Sequence, residues 1–181
     1  MKIGLVRHFK VKLNMPNWRI VAPDDVLRWQ DQYDASDIEF KDVDLGGIPW
    51  LRCYTSDLPR AVQTAEQIYS GTIVQWKELR EVRLSPIKSR FPMPFFLWST
   101  VLRIAILFNH QSQLDRKRIV EERVRKLLDR IVAEMKSTDN ILIVSHGALM
   151  YVMRRELRRR GFHGPTFQTP ENGKLYVFEK A

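Results

Sequence analysis

The sequence predicts an α/β fold in three layers, with a largely parallel central sheet covered by helices on both faces. Two observations carry this expectation. Short runs with strand character recur at Lys2 to Arg7, Leu51 to Thr55, Thr72 to Trp76, Asn140 to Ser145 and Lys174 to Phe178, and segments with helical periodicity lie between most of them. Alternation of this kind suits parallel strands, because each crossover must return along one face of the sheet. The chain has 181 residues, 44% of them hydrophobic, with no internal repeat and no Gly/Ser linker. One domain over residues 1–181, with one sizeable core, is therefore expected.

The first run, Ile3-Gly4-Leu5-Val6, reads as a buried strand over residues 2 to 7. The polar and aromatic stretch from Lys10 to about Gly47 reads mainly as loop, with a short helix near Asp24 to Tyr33. Leu51 to Thr55 is the second strand. Behind it Ser56 or Asp57 can cap a helix that has Pro59 in its first turn, with Ala61, Val62, Ala65, Ile68 and Tyr69 on the buried face. Thr72 to Trp76 is a short strand, followed by a loop through Glu81 and an irregular stretch ending near Pro94. A helix from Leu97 to Phe108 would be apolar almost all round, so it should be buried, covered by a partner chain in a homodimer, or used as a cap over a pocket. It is well short of the roughly 20 residues that span a bilayer, and no transmembrane segment is expected. From Asp115 to Met135, Val120, Val124, Leu127, Leu128, Ile131 and Met135 share one face of an amphipathic helix. Asn140 to Ser145 is a strand, Ala148 to Arg160 a helix, and Asn172-Gly173 turns the chain into a last strand, Lys174 to Phe178.

Thirty Lys and Arg against 21 Asp and Glu give a formal charge of +9, and the isoelectric point is near 9.9. Such a balance favours anionic partners: phosphorylated metabolites, nucleic acid or an acidic membrane surface. Arg154, Arg155, Arg158, Arg159 and Arg160 are the strongest case for nucleic acid. It is the weaker reading, since basic residues ending a helix complement its dipole and usually form a solvated face. Cys53 is the only cysteine, which excludes an intramolecular disulfide and any multi-cysteine metal site. A reducing compartment fits, and with an opening apolar run too short for a signal peptide, a cytoplasmic location is expected.

Four segments each follow a predicted strand: Arg7-His8, Tyr54-Thr55-Ser56-Asp57-Leu58-Pro59-Arg60-Ala61-Val62-Gln63-Thr64-Ala65, Leu79-Arg80-Glu81 and Ser145-His146-Gly147. Ligands of open α/β sheets gather at the carboxyl ends of strands, so two strand-terminal histidines with arginines beside them suggest a single phosphate pocket. Together, in this order and spacing, the segments resemble the histidine phosphatase superfamily, also called the phosphoglycerate mutase-like family. The resemblance covers most of the chain and is weakest from Phe91 to Leu114. It implies a phosphoglycerate mutase-like fold, with His8 as the nucleophile that takes the phosphoryl group. Arg7, Arg60 and His146, with Gly147 beside them, match the phosphate pocket, and Glu81 matches the proton donor. Asn14, six residues after His8, matches a phosphate-contacting asparagine, although a turn residue is an equal reading of it. The apolar segment falls where family members insert cap elements, so a cap or lid at about 83–114 is expected. No cofactor and no metal are implied, and a metal at His8 and His146 would lack an obvious third ligand.

Taken singly, each residue has an ordinary reading: a hydrogen-bonded structural histidine, a surface arginine, a solvated glutamate. Glu78, three residues before Glu81, is a rival for the donor. The chemistry nevertheless suits the joint pattern. An attacking imidazole needs its second ring N–H fixed on an acceptor, most simply a backbone carbonyl. Guanidinium forks stabilise the equatorial oxygens of a transferring phosphoryl group, and Arg60 in the first turn of its helix adds that helix's N-terminal field. A protonated His146 beside the dianion would supply another donor. Glu81 must be protonated to help an alcohol leave and then ionised to activate water, a range towards which burial raises its pKa and neighbouring arginines oppose.

Two departures qualify the resemblance. The family usually follows Arg-His with glycine and often an acidic residue, whereas this chain has Phe9 and Lys10. Phe9 would line the pocket mouth or pack into the core, and Lys10 would attract a polyanion if it faced inward. After Glu81 the chain reads Val82-Arg83-Leu84-Ser85-Pro86, without the glycine-containing pattern of glycolytic mutases. The expected function is a metal-independent phosphomonoester hydrolase acting on a small phosphorylated substrate through a phosphohistidine. The alternatives are a phosphoglycerate mutase-like phosphotransferase, or a phosphate-binding regulatory protein with little turnover.

Overall fold

The structure is a computed structural model and describes residues 1–13, 20–21, 23–82, 93–94, 111–134, 136 and 138–180. The chain runs β1 (Lys2–Arg7), β2 (Lys10–Val11), β3 (Ile20–Val21), α1 (Pro23–Ala35), β4 (Ile38–Glu39), β5 (Arg52–Ser56) and α2 (Pro59–Ile68). It continues through β6 (Ile73–Trp76), a 3-10 turn (Lys77–Leu79), β7 (Met93–Pro94), α3 (Gln111–Glu134), β8 (Asn140–Ser145), α4 (Gly147–Arg159) and β9 (Leu175–Glu179). The expected helix at 97–108, most of the expected cap and Asn14 lie outside the described residues.

Five strands form the central sheet in the order β6-β5-β8-β1-β9. The first four are mutually parallel, and β9 joins the edge antiparallel to β1. Leu5 and Tyr54 both stand level with Ile143, and Arg7 stands level with Ser145. This register brings the carboxyl ends of β1, β5 and β8 to one edge.

The period of two along each strand sorts its side chains between two cores. Ile3 and Leu5 of β1, Tyr54 of β5 and Ile141 and Ile143 of β8 face α3 and α4, whose Val124, Leu127, Leu128, Ile131, Met150 and Met153 complete that layer. Val6, Cys53, Leu142 and Val144 face the other way, onto Trp50 and the Ala61 and Ala65 stripe of α2. Gly4 is required here: a Cβ on it would lie 2.7 Å from the Trp50 ring, which closes down on β1. The three-layer architecture with a mainly parallel sheet is therefore present.

Local differences have local causes. β2 and β4 pair antiparallel inside the stretch read as loop, but two-residue strands carry no periodicity to read. The N-cap of α2 is Leu58, neither Ser56 nor Asp57, and it makes no side-chain cap bond. Ser56 is the last residue of β5 and accepts the Leu58 N–H on its Oγ at 3.3 Å, while the Asp57 carboxylate is held by Arg80. Pro59 occupies the start of the helix as expected, where its missing N–H costs nothing. The basic end of α4 is extensively ion-paired: Arg155 with Glu121, Arg159 with Glu156, and Arg160 with both Glu156 and Asp129. Acidic residues of α3 and α4 thus neutralise much of the cluster that a nucleic acid would need. Among the described residues no helix is long and apolar enough to cross a membrane.

Candidate active site

The sheet's carboxyl edge assembles the site. His8 directly follows β1, and its backbone N–H prolongs the parallel pairing by donating to the Ser145 carbonyl at 3.0 Å. Its peptide is fastened from other sides too. Asn172 Nδ2 donates to the His8 carbonyl at 2.7 Å, Gly173 N–H to the Arg7 carbonyl at 2.8 Å, and Phe9 N–H to Thr64 Oγ1 at 2.9 Å. The Thr64 hydroxyl donates in turn to the Arg60 carbonyl, tying the loop after His8 to the helix that carries Arg60.

The His8 ring is 2% exposed, and its Nδ1 lies 2.6 Å from the Phe9 carbonyl oxygen. A carbonyl only accepts, so Nδ1 carries the proton and Nε2 keeps its lone pair. Burial pushes the His8 pKa down to about 3, with the charges of Arg60 and Arg7 acting in the same direction against the Phe9 hydrogen bond. The imidazole is neutral at any ordinary pH.

The His146 ring lies 5.0 Å from the His8 ring, centroid to centroid, and is fully buried at the N-cap of α4. Neither of its nitrogens has a hydrogen-bond partner among the described residues. Burial, then His8, Arg60 and Arg7, hold its pKa well below the usual histidine value. The expectation of a protonated His146 therefore applies only once an anion has entered.

Arg7 and Arg60 are anchored in the same manner. Arg7 donates through Nη1 to the Pro170 carbonyl at 3.0 Å, and Arg60, only 3% exposed, donates through Nη1 to the Asp34 carboxylate. On both residues Nε is buried with no partner among the described residues. A guanidinium held by Nη1 still offers its Nε–Nη2 edge, the pair of parallel N–H groups that matches two oxygens of a tetrahedral anion. The Arg7 guanidinium packs beside Gly147, where a Cβ would stand 3.5 Å from it.

Glu81 completes the cluster from the segment after β6. Its Oε2 accepts the Ala148 N–H at 3.3 Å, at the first turn of α4, and its Oε1 accepts the Val82 N–H at 3.0 Å. Burial raises its pKa, while these backbone donors and Arg60 oppose the rise. Its segment is stapled to the rest of the site at two points. Ser145 Oγ donates to the Leu79 carbonyl at 3.0 Å, and Arg80 makes two 2.6 Å bonds to Asp57, which lies in the turn before Arg60.

Two sequence expectations resolve away from this cluster. Phe9 is fully buried with Val11 and Ile38, so it takes the core alternative and does not line a mouth. Room for it exists because Gly173, at φ +60°, has no side chain: a Cβ there would lie 2.8 Å from the Phe9 ring. Lys10 is exposed and pairs across β2 and β4 with Glu39 at 3.0 Å, so it does not face inward.

Sequence reading missed Asp34 and Tyr33, which α1 places against Arg60, and Arg123 of α3, whose Nη2 donates to the Arg80 carbonyl at 3.1 Å. None sits in a strand-end motif, so the sequence carried no signal for them. Among the described residues no group of three or more His, Cys, Asp or Glu side chains gathers to hold a metal ion.

Residues 39–180 match the sequence model of the histidine phosphatase superfamily, branch 1. No curated protein matches the chain. Among solved structures, YhfR of Bacillus stearothermophilus shares 20% identity and a TM-score of 0.59, the match covering 98% of this chain and 90% of that one. A putative alpha-ribazole-5'-P phosphatase from Escherichia coli shares 16% identity and a TM-score of 0.57, over 98% and 89% of the two chains. A phosphoglycerate mutase from Bacillus anthracis shares 19% identity and a TM-score of 0.57, over 97% and 86%. At these identities the likeness shows the fold.

Proposed function

The chain belongs to the histidine phosphatase superfamily, branch 1, and from that premise we propose that it is a metal-independent phosphomonoester hydrolase working through a phosphohistidine on His8. The observation that carries this reading is the His8 ring: its Nδ1–H is fixed on the Phe9 carbonyl, its Nε2 is free to attack, and the His146 ring stands 5.0 Å away.

In this mechanism the phosphoryl oxygens lie on the Nε–Nη2 edges of Arg7 and Arg60, with His146 as a further donor. His8 Nε2 attacks phosphorus as the ester P–O bond breaks, and Glu81 gives its proton to the departing alkoxide. His8, now bonded to phosphorus, keeps the Nδ1 proton on the Phe9 carbonyl, which stabilises the charge the ring acquires. In the second half, ionised Glu81 takes a proton from water, the oxygen attacks phosphorus, and the P–N bond breaks. Inorganic phosphate leaves, Glu81 is protonated again and His8 is restored as a neutral base.

Two features favour Glu81 over Glu78 as the proton donor. Burial raises the Glu81 pKa, and its carboxylate touches the first turn of α4 beside His146. The small phosphorylated substrate is left to experiment. Cys53 is buried and its thiol is pushed up to about 12, so it is unreactive at neutral pH; a single cysteine in the sequence fits a reducing, cytoplasmic setting.

The test is a screen of phosphomonoesters for inorganic phosphate release, with His8→Ala as the blank, together with trapping of an acid-labile phosphoryl group on the protein. Turnover and label that both vanish in His8→Ala support the proposal. Label returned to a bound product in place of water would establish the mutase alternative. Stabilisation by phosphate with no turnover would establish the binding protein.

A further inference from the structure

The two phosphate-site arginines are held through the same nitrogen but by different partners. Arg7 is held by a neutral carbonyl, Arg60 by the carboxylate of Asp34 at the end of α1. Tyr33, the preceding residue, covers the Arg60 guanidinium, with Cζ 5.1 Å from its ring centroid. Arg60 is thus gripped at one edge and over one face while its side chain is only 3% exposed.

Electrostatics says why a carboxylate belongs there. A buried guanidinium needs a counter-charge, since desolvation of an unpaired ion costs several kcal/mol. The rest of the site supplies little: His8 and His146 are neutral, Arg7 is a second cation, the N-terminus of α4 points its positive end inward, and the Glu81 carboxyl, which also feels Arg60, is engaged by the Val82 and Ala148 N–H groups. A carboxylate on the inner Nε–Nη2 edge would block the substrate. Asp34 binds Nη1 instead, and Nε stays without a partner among the described residues.

We propose that Asp34 is a positioning residue that holds the Arg60 guanidinium in the pocket by its outer nitrogen and so presents the Nε–Nη2 edge to the phosphoryl oxygens. The inference rests on the phosphate-site reading above and deepens it. The opposing idea is that Asp34 is a stand-in anion that substrate must displace. The two ideas predict opposite signs. Removing a positioning carboxylate weakens anion binding, whereas removing a competitor strengthens it.

The experiment is calorimetric titration with inorganic phosphate at fixed ionic strength on the wild type, Asp34→Ala, Arg60→Ala and the double variant, with thermal melts of each. Asp34→Ala should weaken phosphate binding by roughly tenfold or more, the scale of a lost hydrogen bond to a charged group. In the Arg60→Ala background the same substitution should have almost no further effect, because Asp34 acts through Arg60. Tighter or unchanged binding in Asp34→Ala overturns the inference alone, as does additivity with Arg60→Ala. A wild type that binds no phosphate overturns the functional reading and this inference with it. Should Asp34→Ala fail to fold, the isosteric Asp34→Asn variant carries the same comparison, with a smaller loss as support and a gain as refutation.

Discussion

Acidification tests the neutral state of His8 without any knowledge of the substrate. In the unfolded chain His8 has the ordinary histidine pKa of 6.5, whereas in the folded pocket it is pushed down to about 3. A histidine depressed in this way contributes stability that is complete above the unfolded value and is lost as pH falls towards the folded one, because only the unfolded state takes up the proton. At pH 4.5 the unfolded imidazole is about 99% protonated and the folded one about 3%, so His8 alone should remove about 3 kcal/mol of stability relative to pH 8. The assay is urea unfolding of the wild type and of His8→Gln between pH 8 and pH 4.5. Burial, the first cause that lowers the His146 pKa, is common to both proteins, so the difference between the two profiles reports chiefly His8. The wild type should lose stability more steeply below pH 6.5, by about 1.4 kcal/mol per pH unit. Parallel profiles would mean that His8 titrates in the pocket as it does in water, and the argument for a buried, pre-set nucleophile would fail. Added phosphate should flatten the wild-type curve, since an anion beside the ring offsets the two arginines that oppose its protonation.

Three further outcomes follow from the contacts. Glu81→Gln should slow single-turnover release of the alcohol from alkyl phosphates by about 10²-fold or more while sparing that step for activated aryl phosphates, with the later hydrolysis of the phosphohistidine slowed for both; alcohol-release rates that fall equally for the two classes would remove Glu81 from the donor role. Gly173→Ala forces a side chain onto φ +60° and 2.8 Å from the buried Phe9 ring. A loss of about 1–3 kcal/mol in urea unfolding is expected, and an unchanged midpoint would show that the loop relaxes freely. Ser145→Ala leaves the Leu79 carbonyl without its 3.0 Å donor in a fully buried setting. It should cost about 1–2 kcal/mol and lower kcat more than it alters KM, through the segment that carries Glu81; a change in KM alone would count against that coupling.

Much of the architecture was legible because it depends on local pattern. Apolar runs of strand length at 2–7, 51–55 and 140–145 sort by a period of two, and Val124, Leu127, Leu128 and Ile131 by a helical one, whatever they pack against. The site segments were legible for a related reason. Each hangs from a strand end, and parallel register alone brings Arg7 level with Ser145. The fate of Phe9 was not legible: the two alternatives differ only in whether space exists behind it, and Gly173, far along the chain, decides that. Lys10 was undecided until a two-residue pairing brought Glu39 opposite it.

The sequence by itself determined the layer order of the fold and which ionisable groups stand at the sheet's carboxyl edge, because hydrophobic period and strand-terminal position are properties of a few neighbouring residues. Tertiary structure alone decided the state of those groups. Burial among cations makes His8 and His146 neutral, the first turn of α4 meets the Glu81 carboxylate, and α1 delivers Asp34 and Tyr33 to Arg60. Desolvation and charge–charge energies depend on distance in space, and no spacing along the chain encodes them.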